Sequence, residues 1–177
     1  MKLKLSDLIK IIEDWAPKTF SEDFDNVGLI VGDKNSIINK ALITLDTSED
    51  VVDEAIQNNC NLIISFHPII FSGLKKITTE TYVERVVLKA LKNNINIYAI
   101  HTNLDNHPKG VNHIISKKLK LKNVSFLIPK KNFEIGMGMI GDLKNPTNES
   151  DFLLNLSKKM DSGFLKHSNF LGKKISR

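Results

Sequence analysis

The chain has 177 residues, 41% of them hydrophobic, with 25 basic and 20 acidic residues and a formal net charge of +5, which excludes a disordered chain, and it contains no run of about eighteen apolar residues that would cross a membrane. Only Arg85 and Arg177 among the basic residues are arginines, and the lysines are spread along the chain, so the arginine forks and aromatic platforms of a nucleic-acid site are scarce and no clear one is expected. A single cysteine, Cys60, cannot form an internal disulfide, and Met1 to Asp7 turns polar too early for a secretory leader, so a reducing cytoplasm is the expected location.

Ser6 to Trp15 carries a cap residue followed by apolar positions at helical spacing, and Pro17 stops it. Glu22 to Asn26 is a polar loop. Val27 to Gly32 is a short apolar run between glycines and predicts a strand, and Ile38 to Leu45 predicts a second. Asp46-Thr47-Ser48 caps a helix reaching about Asn58, with Glu49 and Asp50 in its first turn, where the helix dipole favours anions. Leu62 to Ser65 is a third strand and Phe66 to Lys76 a loop. Thr78 or Thr79 caps a helix through Val83, Val86, Val87, Ala90 and Leu91. Ile95 to Ile100 is a fourth strand, followed by a loop and a helix near Val111 to Leu119. This alternation predicts an α/β fold, a mostly parallel sheet with flanking helices. Beyond Pro129 the pattern changes. Phe133 to Gly141 is glycine-spaced and predicts a strand, Glu149 to Met160 an amphipathic helix, and Phe164 to His167 a further strand, before a closing turn that leads toward another.

Ligands of open parallel sheets gather outside the carboxyl ends of the strands. Two such ends carry chemistry here: Phe66-His67-Pro68 after the third strand, and His101-Thr102-Asn103-Leu104-Asp105 after the fourth. With the two strands close in the sheet, His67, His101 and Asp105 converge, and imidazoles with a carboxylate are donors for Zn, Mn, Fe or Co. Each residue alone also has a structural reading: a histidine in a loop, an aspartate bending a turn. His107, His113 and His167 lack such a setting and read as surface residues. Asp46 ends a strand but also starts a helix. Gly136-Met137-Gly138 opens no helix and is a weak phosphate cradle.

Five ordered blocks carry a further signal: DNVGLIVGD (Asp25 to Asp33), ALITLDTSEDVVDEAI (Ala41 to Ile56), LIISFHPIIF (Leu62 to Phe71), IYAIHTNLDNHPKGVN (Ile97 to Asn112) and GMGMIGDL (Gly136 to Leu143). Together they resemble the Nif-three-like family, whose members are also called GTP cyclohydrolase I type 2 homologs or dinuclear metal-centre proteins. The resemblance implies a dinuclear metal site in an α/β fold and a ring-shaped homohexamer. The family's His-His-Pro motif, with both histidines as ligands, matches His67 at its second position, while the first is Phe66. Its bridging carboxylate matches Asp105, with His101 beside the site. Further His and Glu ligands come from a motif late in a longer chain and have no counterpart here. The resemblance therefore implies an N-terminal metal-site domain over residues 1–129 and the truncated start of a following segment over 130–177. It implies one divalent ion or none (Zn, Mn or Fe) and metal-dependent hydrolysis of a small-molecule substrate that no residue identifies. The alternatives are a non-catalytic assembly or regulatory protein, and a remnant without activity.

Overall fold

A computed structural model describes residues 2–130 and 134–177. The chain forms two compact units that divide in sequence between Leu104 and Asp105.

The first unit is built on a four-stranded sheet. Its strands are β1 (Gly28–Val31), β2 (Ala41–Thr44), β3 (Leu62–Ser65) and β4 (Asn96–Ala99), in spatial order β1-β4-β3-β2. β2, β3 and β4 run parallel, with Ala41 opposite Leu62 and Leu62 opposite Asn96, whereas β1 pairs antiparallel with β4, Gly28 facing Ala99. The expected α/β class and mostly parallel sheet are present. Successive side chains of a strand point to opposite faces, and both faces are covered. On one, Ile63 and Ile97 pack with Val52 and Ala55 of α2 (Glu49–Gln57) and with Val86, Val87 and Ala90 of α3 (Tyr82–Lys92). On the other, Leu62, Tyr98 and Ile100 pack with Leu5, Ile12 and Ala16, which belong to or directly follow α1 (Leu5–Trp15). Such two-sided burial explains why β3 and β4 read as continuous apolar runs.

Helix starts differ from the sequence expectations in two places. α1 begins at Leu5, with the Lys4 N–H donating to Asp7 Oδ2 at 3.3 Å, so Ser6 lies inside the first turn. α3 is capped by Thr81, whose hydroxyl accepts from Glu84 N–H at 3.2 Å, and not by Thr78 or Thr79. The reason is Glu84. Its carboxylate reaches back to the hydroxyl and N–H of Thr78 and to the N–H of Glu80, and so holds those residues in the preceding loop. Ser48 caps α2 as expected, accepting from Val51 N–H.

At the amino ends of the strands a network of amides fixes the connections. Asn96 Oδ1 accepts from Asp33 N–H at 2.9 Å, and its Nδ2 donates to Asn61 O at 3.0 Å. Gly32 lies against this network at φ +117°, where a Cβ would stand 2.1 Å from Asn96 Oδ1. Only glycine fits there.

The segment that follows β4, read as loop from sequence, contains a short helix, α4 (Thr102–Asp105). The second unit comprises α5 (Val111–Leu119), the antiparallel hairpin β5 (Lys122–Lys130) and β6 (Ile135–Asp142), the short pair β7 (Thr147–Asn148) and β8 (Lys174–Ile175), and α6 (Glu149–Met160). β5 was not expected. It is largely exposed, and its apolar residues do not bury a clean alternating face. Phe133, in the expected glycine-spaced strand, lies outside the described residues, and β6 takes up that strand from Ile135. Among the described residues Phe164 to His167 pairs with no strand. β8 does pair, with Thr147 opposite Ile175.

Candidate functional site

The carboxyl ends of β3 and β4 are adjacent because Ser65 registers with Ala99. Each strand delivers one imidazole immediately beyond its end. The rings of His67 and His101 stand 5.4 Å apart, nearly perpendicular. The Phe66 ring meets both edge to face, at 5.1 Å from His67 and 5.3 Å from His101.

A carboxylate holds each imidazole by Nδ1. His67 Nδ1 lies 2.7 Å from Asp46 Oδ1, in a pair that is half exposed. His101 Nδ1 lies 2.8 Å from Asp25 Oδ1, and that carboxylate is fully enclosed. Asp25 also accepts from the N–H and hydroxyl of Thr102 and from Asn26 N–H. Burial pushes its pKa up, but the hydrogen bonds from His101, Thr102 and Asn26 outweigh this and hold it below the ordinary carboxylate value. In neutral histidine, an Nδ1–H donated to a carboxylate puts the remaining lone pair on Nε2. This carboxylate–histidine arrangement is the one that orients metal ligands and raises their basicity.

Supporting residues surround the pair. His101 N–H donates to Asn103 Oδ1 at 2.9 Å, and the buried Asn103 donates to Ala16 O at 2.8 Å, tying α4 to the end of α1. Asn26 Nδ2 donates to Ile70 O at 2.6 Å, joining the loop before β1 to the loop after β3. From these two loops Phe24 and Phe71, both exposed, meet ring to ring at 6.3 Å. Two buried hydroxyls at the same end of the sheet, Ser65 Oγ and Thr47 Oγ1, have no hydrogen-bond partner among the described residues.

Of the residues singled out from sequence, His67 and His101 are brought together. Asp105 closes α4 four residues after His101, and its carbonyl accepts from Asn112 Nδ2 at 3.1 Å. Among the described residues, no three His, Cys, Asp or Glu side chains form a group that could hold a metal ion. What the geometry brings together is two imidazoles, His67 and His101, with the Phe66 ring between them contributing no lone pair. Sequence reasoning missed Asp25 as a site residue and gave Asp46 a helix-starting role. Asp25 reaches His101 only because β1 lies antiparallel beside β4, a pairing that the strand–helix alternation does not reveal.

A family model described as Duf34/NIF3 (NGG1p interacting factor 3) matches residues 3–177. A Clostridium acetobutylicum protein named GTP cyclohydrolase 1 type 2 homolog is 43% identical over 146 residues, covering 81% of this chain and 54% of that protein. A Clostridium perfringens protein of the same name is 40% identical over 143 residues, covering 80% of this chain and 54% of its own. The chain thus spans about half the length of these curated relatives. A crystal structure of a Staphylococcus aureus hypothetical protein superposes with a TM-score of 0.90 at 26% identity, covering 99% of this chain and 70% of that one.

Proposed function

The chain belongs to the Duf34/NIF3 family, and from that premise we propose that it binds a divalent metal ion at the carboxyl ends of β3 and β4 and acts by metal-assisted hydrolysis. The observation that carries this reading is the pair of carboxylate-anchored imidazoles, His67 on Asp46 and His101 on Asp25. Nε2 of each would be the coordinating nitrogen, and Asp105 is carried as a further ligand by the family resemblance alone. A bound Zn, Mn or Fe ion supplies a Lewis acid that acidifies water for attack near neutral pH. Asp25 and Asp46 keep the two imidazoles in the coordinating tautomer. The exposed rings of Phe24 and Phe71 supply apolar contact for a small-molecule substrate. Assembly as a homo-oligomer belongs to the same reading, and the exposed Ile43 on β2 and Leu45 just beyond it supply apolar surface for it.

The test is metal content per chain by mass spectrometry after reloading with Zn, Mn or Fe. Occupancy near one that collapses in His67→Ala and in Asp105→Ala supports the reading; occupancy near zero in the unmodified chain sinks it.

A second reading is favoured by Phe66, which stands where a donor would complete a third imidazole. In that reading the protein is a non-catalytic assembly or regulatory member. Phe66→His that raises metal occupancy without producing turnover supports it, and hydrolysis by the unmodified chain rules it out.

A further inference from the structure

Far along the sequence from the two histidines, the fold of the second unit gathers lysines that the sequence keeps apart. Lys117 lies in the last turn of α5, Lys120 is its left-handed C-cap, and Lys122 opens β5. Lys144 lies between β6 and β7, and Lys159 in the last turn of α6. All five line one open cavity of about 640 Å³. No acidic residue lines it, and the rest of its wall is leucine, asparagine and threonine.

Five ammonium groups around one open space make it electropositive, and the fold supplies only limited compensation. The carboxyl end of α5 supplies part of it. Lys159 Nζ donates to Leu119 O at 3.3 Å, and Lys117 and Lys120 also sit at that helix end, where the dipole favours cations. This does not account for Lys122 and Lys144, which sit beyond the helix. Neither makes an ion pair or a side-chain hydrogen bond among the described residues. The nearby carboxylate of Asp142 is already engaged by Arg177 Nη1 at 3.0 Å and Asn123 Nδ2 at 2.8 Å.

We propose that this cavity binds the phosphate chain of a small polyanion, a nucleoside polyphosphate or inorganic polyphosphate. Its volume lies in the range of small-molecule sites, about 300–1,000 Å³. Lysines act on phosphate as mobile point charges that need no fixed fork geometry. No aromatic ring lines the wall, so the stacking platform of a single-stranded nucleic-acid site is missing from it. The inference is independent of the metal reading, because every lining residue belongs to the second unit.

The experiment is calorimetric titration of the full chain with inorganic tripolyphosphate, with adenosine triphosphate and with a short single-stranded oligonucleotide. Lys122→Glu/Lys144→Glu is compared with Lys34→Glu/Lys75→Glu, which changes the net charge equally at exposed positions of the first unit. Thermal unfolding checks that each variant folds, and Lys122→Gln/Lys144→Gln repeats the test without charge reversal. The expected result is saturable binding of tripolyphosphate that weakens by about tenfold or more in the cavity variants, is unchanged in the control, and falls as salt rises. Equal binding of the two phosphate probes assigns the phosphate chain alone; tighter adenosine triphosphate assigns a nucleotide. Equal weakening in the cavity and control variants, absence of saturable binding, or binding of the oligonucleotide alone would overturn the proposal.

Discussion

At position 66 an aromatic ring stands within 5.3 Å of two imidazoles and offers them only its edge and face. Phe66→His puts a third ring nitrogen donor at this spot, and zinc affinity measured by competition with a chelator is expected to rise. Asp25 works from behind His101. Asp25→Asn removes the charge that four hydrogen bonds address, and leaves one oxygen where two accepted. A urea titration is expected to register a loss of about 2 kcal/mol, the scale of hydrogen bonds to a charged group. Metal affinity is expected to fall by roughly 10–100-fold, the scale for removing a carboxylate that orients a metal-ligating histidine. Unchanged metal affinity in a folded Asp25→Asn protein would remove Asp25 from the site. His67 and His101 were legible in the sequence because both follow apolar runs that had to be strands. Their carboxylate partners were not, since Asp46 and Asp25 lie in segments whose local reading, a helix cap and a polar loop, is complete without them.

Local signals fixed most of the elements, and failed where a long side chain or a distant strand decides the outcome. Thr78, Thr79 and Thr81 are equivalent as sequence; Glu84 chooses among them by folding back onto Thr78. Those hydrogen bonds, foremost the one from the Thr78 hydroxyl, hold the Glu84 carboxyl below its ordinary pKa despite its burial. A carboxyl depressed in the folded state binds fewer protons there than in the unfolded state, so its contribution is present above the unfolded pKa and is lost as pH falls through the folded one. Unfolding measured downward from about pH 4.5 is expected to show a smaller loss of stability in Glu84→Gln than in the unmodified chain. Gly32 offers a second test of an element boundary. Gly32→Ala must relieve both a left-handed backbone and a clash with Asn96, and a loss of about 2–4 kcal/mol in thermal unfolding is expected. The antiparallel β1–β4 pair, like β5, was invisible to periodicity because alternation reports faces and not neighbours.

Across the molecule, exposed apolar side chains occur on most elements, and those at the β2 edge are among the most exposed. Ile43 is 81% and Leu45 60% exposed, on or just beyond β2, which is an edge of its sheet with one side unpaired among the described residues. Open apolar edges promote association, so Ile43→Lys is expected to lower self-association in sedimentation experiments while leaving the unfolding midpoint unchanged. Among the described residues no helix is long and apolar enough to cross a membrane. The sheet also carries an order of assembly in its connectivity. β2 with β3, and β3 with β4, join partners close along the chain, whereas Gly28 meets Ala99 only after more than twice as much chain is closed. Closing longer loops costs more entropy and slows contact formation. The parallel trio is therefore expected to form before β1 docks, with Asp25 arriving alongside β1. Pulsed hydrogen exchange during refolding is expected to protect the β3 amides before those of β1, so that His67 and His101 would meet before His101 gains its Asp25 partner.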